Sequence, residues 1–149
     1  RAAALSAELK EKEREISSLE AEIAASKTAD LMKDAKQIGG VRLVTADIGE
    51  AGADALRSLC DKALESGDDI IAVFAGKNAE KGTASFACRV GKKAIECGAH
   101  AGNIVREVAR VAGGAGGGKP DSAMAGAKDI SKIPEALKKA SDIVSAMLA

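Results

Sequence analysis

The sequence predicts an α/β protein: a long N-terminal helical arm followed by a small βαββαβα globular domain with a mixed, α+β-like sheet. Three observations predict it. Residues 1–37 contain no Gly or Pro and are rich in Ala, Glu, Lys and Leu, which favours uninterrupted helix. Two β-branched or wholly apolar runs, residues 41–48 and 70–75, flank a segment with helical spacing, which makes them a parallel strand pair. A third run, residues 84–90, alternates and follows the second across a polar turn, as the return strand of a hairpin does.

In the arm, a heptad frame runs through Leu5, Leu9, Lys12, Ile16, Leu19, Ile23 and Ser26. Lys12 and Ser26 are poor seam residues. The flanking Glu8, Glu13, Glu15, Glu20 and Glu22 share one sign, so a parallel self-paired coil would set glutamate against glutamate. The seam is expected on another helix of the same parent protein or in a weak homodimer; a solvated helix with one apolar stripe carries the same pattern. The stripe continues through Leu31, Ala35 and Ile38, and Gly39–Gly40 then read as C-terminal helix glycines. The chain divides there into an arm, residues 1–38, and a globular domain, residues 39–149.

Within the domain, residues 51–66 read as a helix with Ala55, Leu56, Leu59, Cys60 and Ala63 on one side, and Asp54 suits its positive end. Residues 76–82 form the hairpin turn. Residues 100–111 form a helix with Ile104, Val105, Val108 and Val111 inward. After a glycine stretch, residues 122–125 read as a short strand or loop. The last helix carries Pro134 in its first turn and Leu137, Ala140, Ile143, Val144 and Leu148 on its apolar face. About 110 residues can bury a modest core.

Composition narrows the function. Of 149 residues, 22 are Lys or Arg and 22 Asp or Glu, which argues against a wholly basic nucleic-acid protein. Three cysteines without paired spacing, Cys60, Cys88 and Cys97, suit a reduced cytoplasmic protein better than a disulfide scaffold. No apolar run reaches the roughly 18 residues of a membrane span. A chain that starts at Arg1 reads as excised from a longer one. With no Trp or Tyr and only Phe74 and Phe86, the chain has no aromatics to spare for base stacking. Any nucleic-acid contact should run through phosphate, sugar and shape.

The glycine stretch spans residues 113–118 and continues Lys119-Pro120-Asp121. Glycine lets backbone N–H groups approach an anion closely, and Lys119 adds a charge. Two phosphate motifs fail. Gly113 to Lys119 imitates a Walker A loop, but Pro120 stands where the magnesium-binding hydroxyl belongs, and the loop follows a helix rather than a strand. The dinucleotide pattern fails because its third glycine would fall at Lys119. The alternative is a helix cap at Gly113 and Gly114 followed by a tight crossover where glycines allow close packing.

Residues 116–126, Gly-Gly-Gly-Lys-Pro-Asp-Ser-Ala-Met-Ala-Gly, resemble the glycine signature Gly-Gly-Gly-Arg-Pro-Asp-Met-Ala-Gln-Ala-Gly near the C-terminus of alanyl-tRNA synthetases. Residues 39–47 resemble the first strand after that family's helical part. The resemblance covers the helical arm and the DHHA1-type globular domain. This chain departs at Lys119 for Arg, Met124 for Gln and Ala127 for Gly; lysine offers a point charge where arginine offers a fork. The related phosphoesterases of the DHH family have a histidine at the position of Lys119, which favours the synthetase branch.

The resemblance implies a C-terminal domain of an alanine–tRNA ligase that binds the tRNA body at its outer corner and links aminoacylation with editing. It implies a dimerising role for the helical part. ATP and zinc would belong to other domains of the parent, with no cofactor in this chain. The rivals are the nucleotide-binding domain of a DHH phosphoesterase and a module for oligomerisation only.

Charge placement suits nucleic acid. Between Lys77 and Lys119 there are eight basic residues, Lys77, Lys81, Arg89, Lys92, Lys93, Arg106, Arg110 and Lys119, against three acidic, Glu80, Glu96 and Glu107. A solvated surface of ordinary lysines is the bland alternative. The candidate nucleic-acid-binding residues are Lys92, Lys93, Asn103, Arg106, Arg110, Gly116, Gly117, Gly118, Lys119 and Asp121. Asn103, Arg106 and Arg110 share one helix face. No catalytic or metal residues are assigned: His100 is the single histidine, and Cys97-x-x-His100 lacks a third orienting group.

Overall fold

A computed structural model of the chain describes residues 6–16, 33, 35–65, 67–78 and 80–148. Residues 6–16 form helix α1, and its two apolar heptad residues, Leu9 and Ile16, are 61% and 55% exposed. The other apolar seam residues, Leu5, Leu19 and Ile23, lie outside the described residues, as do Ser26 and Leu31.

Six strands form one sheet in the order β1-β2-β3-β4-β6-β5. They are β1 (Lys36–Ile38), β2 (Val41–Glu50), β3 (Ile70–Asn78), β4 (Thr83–Val90), β5 (Ala115–Gly118) and β6 (Ser122–Ala127). The β2–β3 pair is parallel and the others antiparallel. The mixed sheet and the β3–β4 hairpin match the expectation.

Alternation along β3 divides the core. Ile70, Ala72 and Phe74 face helix α2 (Ala53–Leu64), which contributes Leu56, Leu59, Cys60 and Ala63. Ala55, expected on that face, is exposed. Ile71, Val73 and Ala75 face the opposite side, with Phe86 and Cys88 of β4. There they meet helix α4 (Ala101–Val111) through Ile104, Val105 and Val108, and helix α5 (Ile133–Leu148) through Ala136, Ala140 and Val144. Phe74 and Phe86 are fully buried on opposite faces of the sheet. Each contributes about 2–3 kcal/mol of burial, and neither is available to stack on a base.

The expected βαββαβα order is present with three additions. First, Lys36–Ile38 is a strand, so the helix does not run to Ile38. Gly39 and Gly40 have φ of 54° and 86° and turn a two-residue hairpin that pairs Ile38 with Val41. A turn with positive φ at both positions matches the twist of paired strands, and glycine adopts it freely. Second, Lys92 and Lys93 open a short helix, α3 (Lys92–Glu96). Third, residues 115–118 of the glycine stretch are strand β5.

Candidate nucleic-acid interface

Helix α4 ends in a two-bond cap: Gly114 N–H donates to Ala109 O at 2.8 Å and Gly113 N–H to Arg110 O at 3.1 Å. Gly113 has φ of 71°, the left-handed conformation this cap needs. Both glycines therefore serve the helix end.

The glycines that follow have a different task. A Cβ on Gly116 would lie 2.5 Å from Ala125 Cα and 2.7 Å from Met124 O, and one on Gly118 would lie 2.8 Å from Ala123 Cα. These two positions let β5 close against the β6 backbone. At Gly117 a Cβ would meet only Arg106 Nη2, at 3.6 Å. Helix α4 abuts the same strand through Gly102, whose Cβ would sit 2.7 Å from Gly118 O. A glycine inside a helix costs about 1 kcal/mol relative to alanine, and here it permits the contact between helix and strand backbones.

Lys119, Pro120 and Asp121 form the tip of the β5–β6 hairpin. Lys119 N–H donates to Ser122 O at 2.9 Å, which makes that a hydrogen-bonded pair. By antiparallel alternation Gly117–Met124 is bonded too, and the peptide groups of Gly116 and Gly118 point away from β6. Ala101 N–H donates to Pro120 O, and Val90 N–H to Asp121 O, both at 2.9 Å. The tip is thus fastened to the start of α4 and the end of β4.

The structure brings Gly116, Gly117, Gly118, Lys119, Asp121 and Arg106 together along this edge, with Asn103 exposed on the same turn of α4. Arg110 lies a turn further on and pairs with Glu107 at 3.0 Å. Lys92 and Lys93 follow Val90 at the tip-proximal end of β4, where Lys93 N–H donates to Asp68 O. Lys77 and Lys81 lie instead at the β3–β4 turn, so the basic zone of the sequence is spread over several surfaces. His100 caps α4, its Nδ1 accepting from Asn103 N–H at 3.2 Å. Cys97 is exposed, whereas Cys60 and Cys88 are buried.

Two cations that the candidate set omits also approach the hairpin. Arg89 points to the face of the sheet opposite Cys88, and its Nη1 meets Asp61 Oδ1 of α2 at 2.8 Å. Arg57 lies one helical turn before Asp61. The alternation of β4 marks Arg89 as facing α2; nothing in the sequence pairs Arg57 with it.

The sequence and the fold are similar to those of known proteins. Residues 40–146 match the model of the DHHA1 domain. The chain is 38% identical over 144 residues to the alanine–tRNA ligase of Alkaliphilus oremlandii, and 39% over 133 residues to that of Shouchella clausii. These matches cover 97% and 89% of this chain but only 16% and 15% of those proteins. Among solved structures, the C-Ala domain of Aquifex aeolicus alanyl-tRNA synthetase aligns with a TM-score of 0.67 and 29% identity, over 74% of this chain and 97% of that one. A protein described as a member of the s1p family of ribosomal proteins, PF0399 DHH domain, shares the fold at TM-score 0.56 and 17% identity, over 84% of this chain and 31% of that one. The chain belongs to the DHHA1 domain family and, within it, is similar to the C-Ala domain of alanyl-tRNA synthetases.

Proposed function

We propose that this chain is the C-terminal domain of an alanine–tRNA ligase and that it holds the body of the tRNA by phosphate and shape contacts, helping one tRNA serve aminoacylation and editing. On this reading the parent is a cytoplasmic, ATP-dependent ligase, and its ATP and zinc sites lie outside this chain. The observation that carries the RNA contact is Arg106 beside Gly117. A guanidinium there lies next to a strand edge whose glycines let a sugar-phosphate backbone approach to peptide distance. Lys119 at the hairpin tip, Asn103, and the α3 lysines Lys92 and Lys93 extend that edge. Both phenylalanines are buried, so the contact reads backbone and shape rather than stacked bases.

A gel shift of this chain with tRNA tests the reading. The variant Arg106→Ala/Arg110→Ala/Lys119→Ala should bind about tenfold or more weakly, with its circular dichroism unchanged. Equal binding by variant and parent contradicts the assigned surface. A second role rests on α1, where Leu9 and Ile16 are exposed seven residues apart, as on one stripe of a coiled coil. Sedimentation of the chain and of Leu9→Glu/Ile16→Glu tests dimerisation through residues 1–38.

A further inference from the structure

Helix α2 packs on β3 and β4 on its side of the sheet, and Met124 of β6 packs against the edge of the same cluster. An open cleft of about 570 Å³ lies between α2 and the β5–β6 hairpin. Its cations are Arg57 of α2, Arg89 of β4 and Lys119 of the hairpin tip. Arg57 and Lys119 make no ion pair among the described residues. Arg89 is held by Asp61, yet its Nε is buried without an acceptor. The Nε itself is closed off, whereas the side chain as a whole is 30% exposed, so an anion in the cleft would meet the terminal guanidinium nitrogens.

We propose that this cleft is a second phosphodiester seat for RNA, on the face of the sheet opposite Arg106. The inference rests on the tRNA reading above and extends it. β5 is the edge strand; α4 packs on it from one face, and α2 lies on the opposite face of the sheet over β3 and β4. An RNA strand crossing the glycine edge therefore meets Arg106 on one side and Arg57 and Arg89 on the other, with Lys119 at the crossing. Arginine suits the seat because its fork matches two phosphate oxygens. Asp121 lines the same cleft, where a carboxylate can accept from a ribose 2′-hydroxyl.

The test is fluorescence anisotropy of the 149-residue chain with labelled tRNA, titrated across salt. Arg57→Ala removes an exposed side chain with no ion pair among the described residues, so the fold should persist. Its binding should weaken about fivefold and its salt slope should flatten by about one unit. Arg89→Lys, which keeps the charge and loses the fork, should weaken binding by a similar factor. Lys138→Ala, an exposed lysine on α5, should change neither quantity. If Arg106→Ala weakens binding while Arg57→Ala and Arg89→Lys leave affinity and slope at the parent values, the second seat is overturned and the α4 edge stands. If the parent chain shows no tRNA binding at low salt, both fall.

Discussion

Arg42 and Asp69 are joined by two hydrogen bonds, Nη2 to Oδ1 at 2.8 Å and Nε to Oδ2 at 3.1 Å, while Arg42 N–H donates to the Asp69 carbonyl at 2.7 Å. The pair fastens the start of β2 to the turn that enters β3, next to the registered residues Arg42 and Ile70. It thereby helps fix the parallel register on which the rest of the sheet is ordered. The Arg42 hydrogen bonds hold the Asp69 carboxyl below its ordinary range. A lowered folded-state pKa gives stability that is present above the unfolded-state value and lost as pH falls through the folded one. The loss should begin near the ordinary aspartate value of about 3.9 and continue below it. Melting temperature followed from pH 6 downward should show this for the parent, and Asp69→Asn should remove that component of the pH dependence. The pair is partly exposed, so the effect should be modest and reduced by salt.

The glycines of β5 should differ sharply in tolerance. Gly116→Ala places a methyl against Ala125, so β5 must move away from β6. It should destabilise by about 1–3 kcal/mol, as overpacking does. Gly117→Ala points its methyl into space near Arg106, 3.6 Å from Nη2, and should be nearly neutral. Urea denaturation of the two variants checks this. Equal stabilities would contradict the close packing of β5 on β6.

Thiol reactivity should follow burial. Burial pushes the Cys60 thiol up to about 12, with Asp61 adding to the shift, and pushes Cys88 well above its ordinary value. Cys97 is exposed. A disulfide-exchange reagent near pH 8 should titrate one thiol rapidly in the folded chain and all three in denaturant. Rapid reaction of Cys60 in the folded chain would contradict the packing of α2 on the sheet, and rapid reaction of Cys88 the packing of α4 and α5 on the other face.

The N-cap of α4 should contribute measurably to stability. Asn103 N–H donates both to His100 Nδ1 and to the His100 carbonyl, each at 3.2 Å, and alanine would keep only the carbonyl bond. His100→Ala should destabilise by about 0.5–2 kcal/mol, and His100→Asn, which can cap, should lose less. Thermal denaturation of both variants compares them.

How much was legible in the sequence follows from side-chain patterning. Strands β2, β3 and β4 and helices α2, α4 and α5 announce themselves because their apolar residues recur at period two or at helical spacing. β5 has no such signal, since four residues reading Ala-Gly-Gly-Gly carry almost no side chains to pattern. Its order comes from backbone pairing that glycine alone permits at Gly116 and Gly118. β1 is three residues long, and Gly39–Gly40 reads equally as a helix end or a hairpin turn until its pairing is seen. The candidate site was legible at Arg106 and Lys119 because both lie close in sequence to the glycines. Arg57 was not, because it reaches the hairpin only through the packing of α2 beside β4.

The salt dependence of tRNA binding tests most directly the claim that this domain holds RNA through its phosphates. With four or five cations along the α4 edge and hairpin tip engaged, a plot of the logarithm of the association constant against that of salt concentration should fall with a slope of about −4. The Arg106→Ala/Arg110→Ala/Lys119→Ala variant should flatten it by about two to three units. A slope near zero, or a slope identical in parent and variant, would contradict the account.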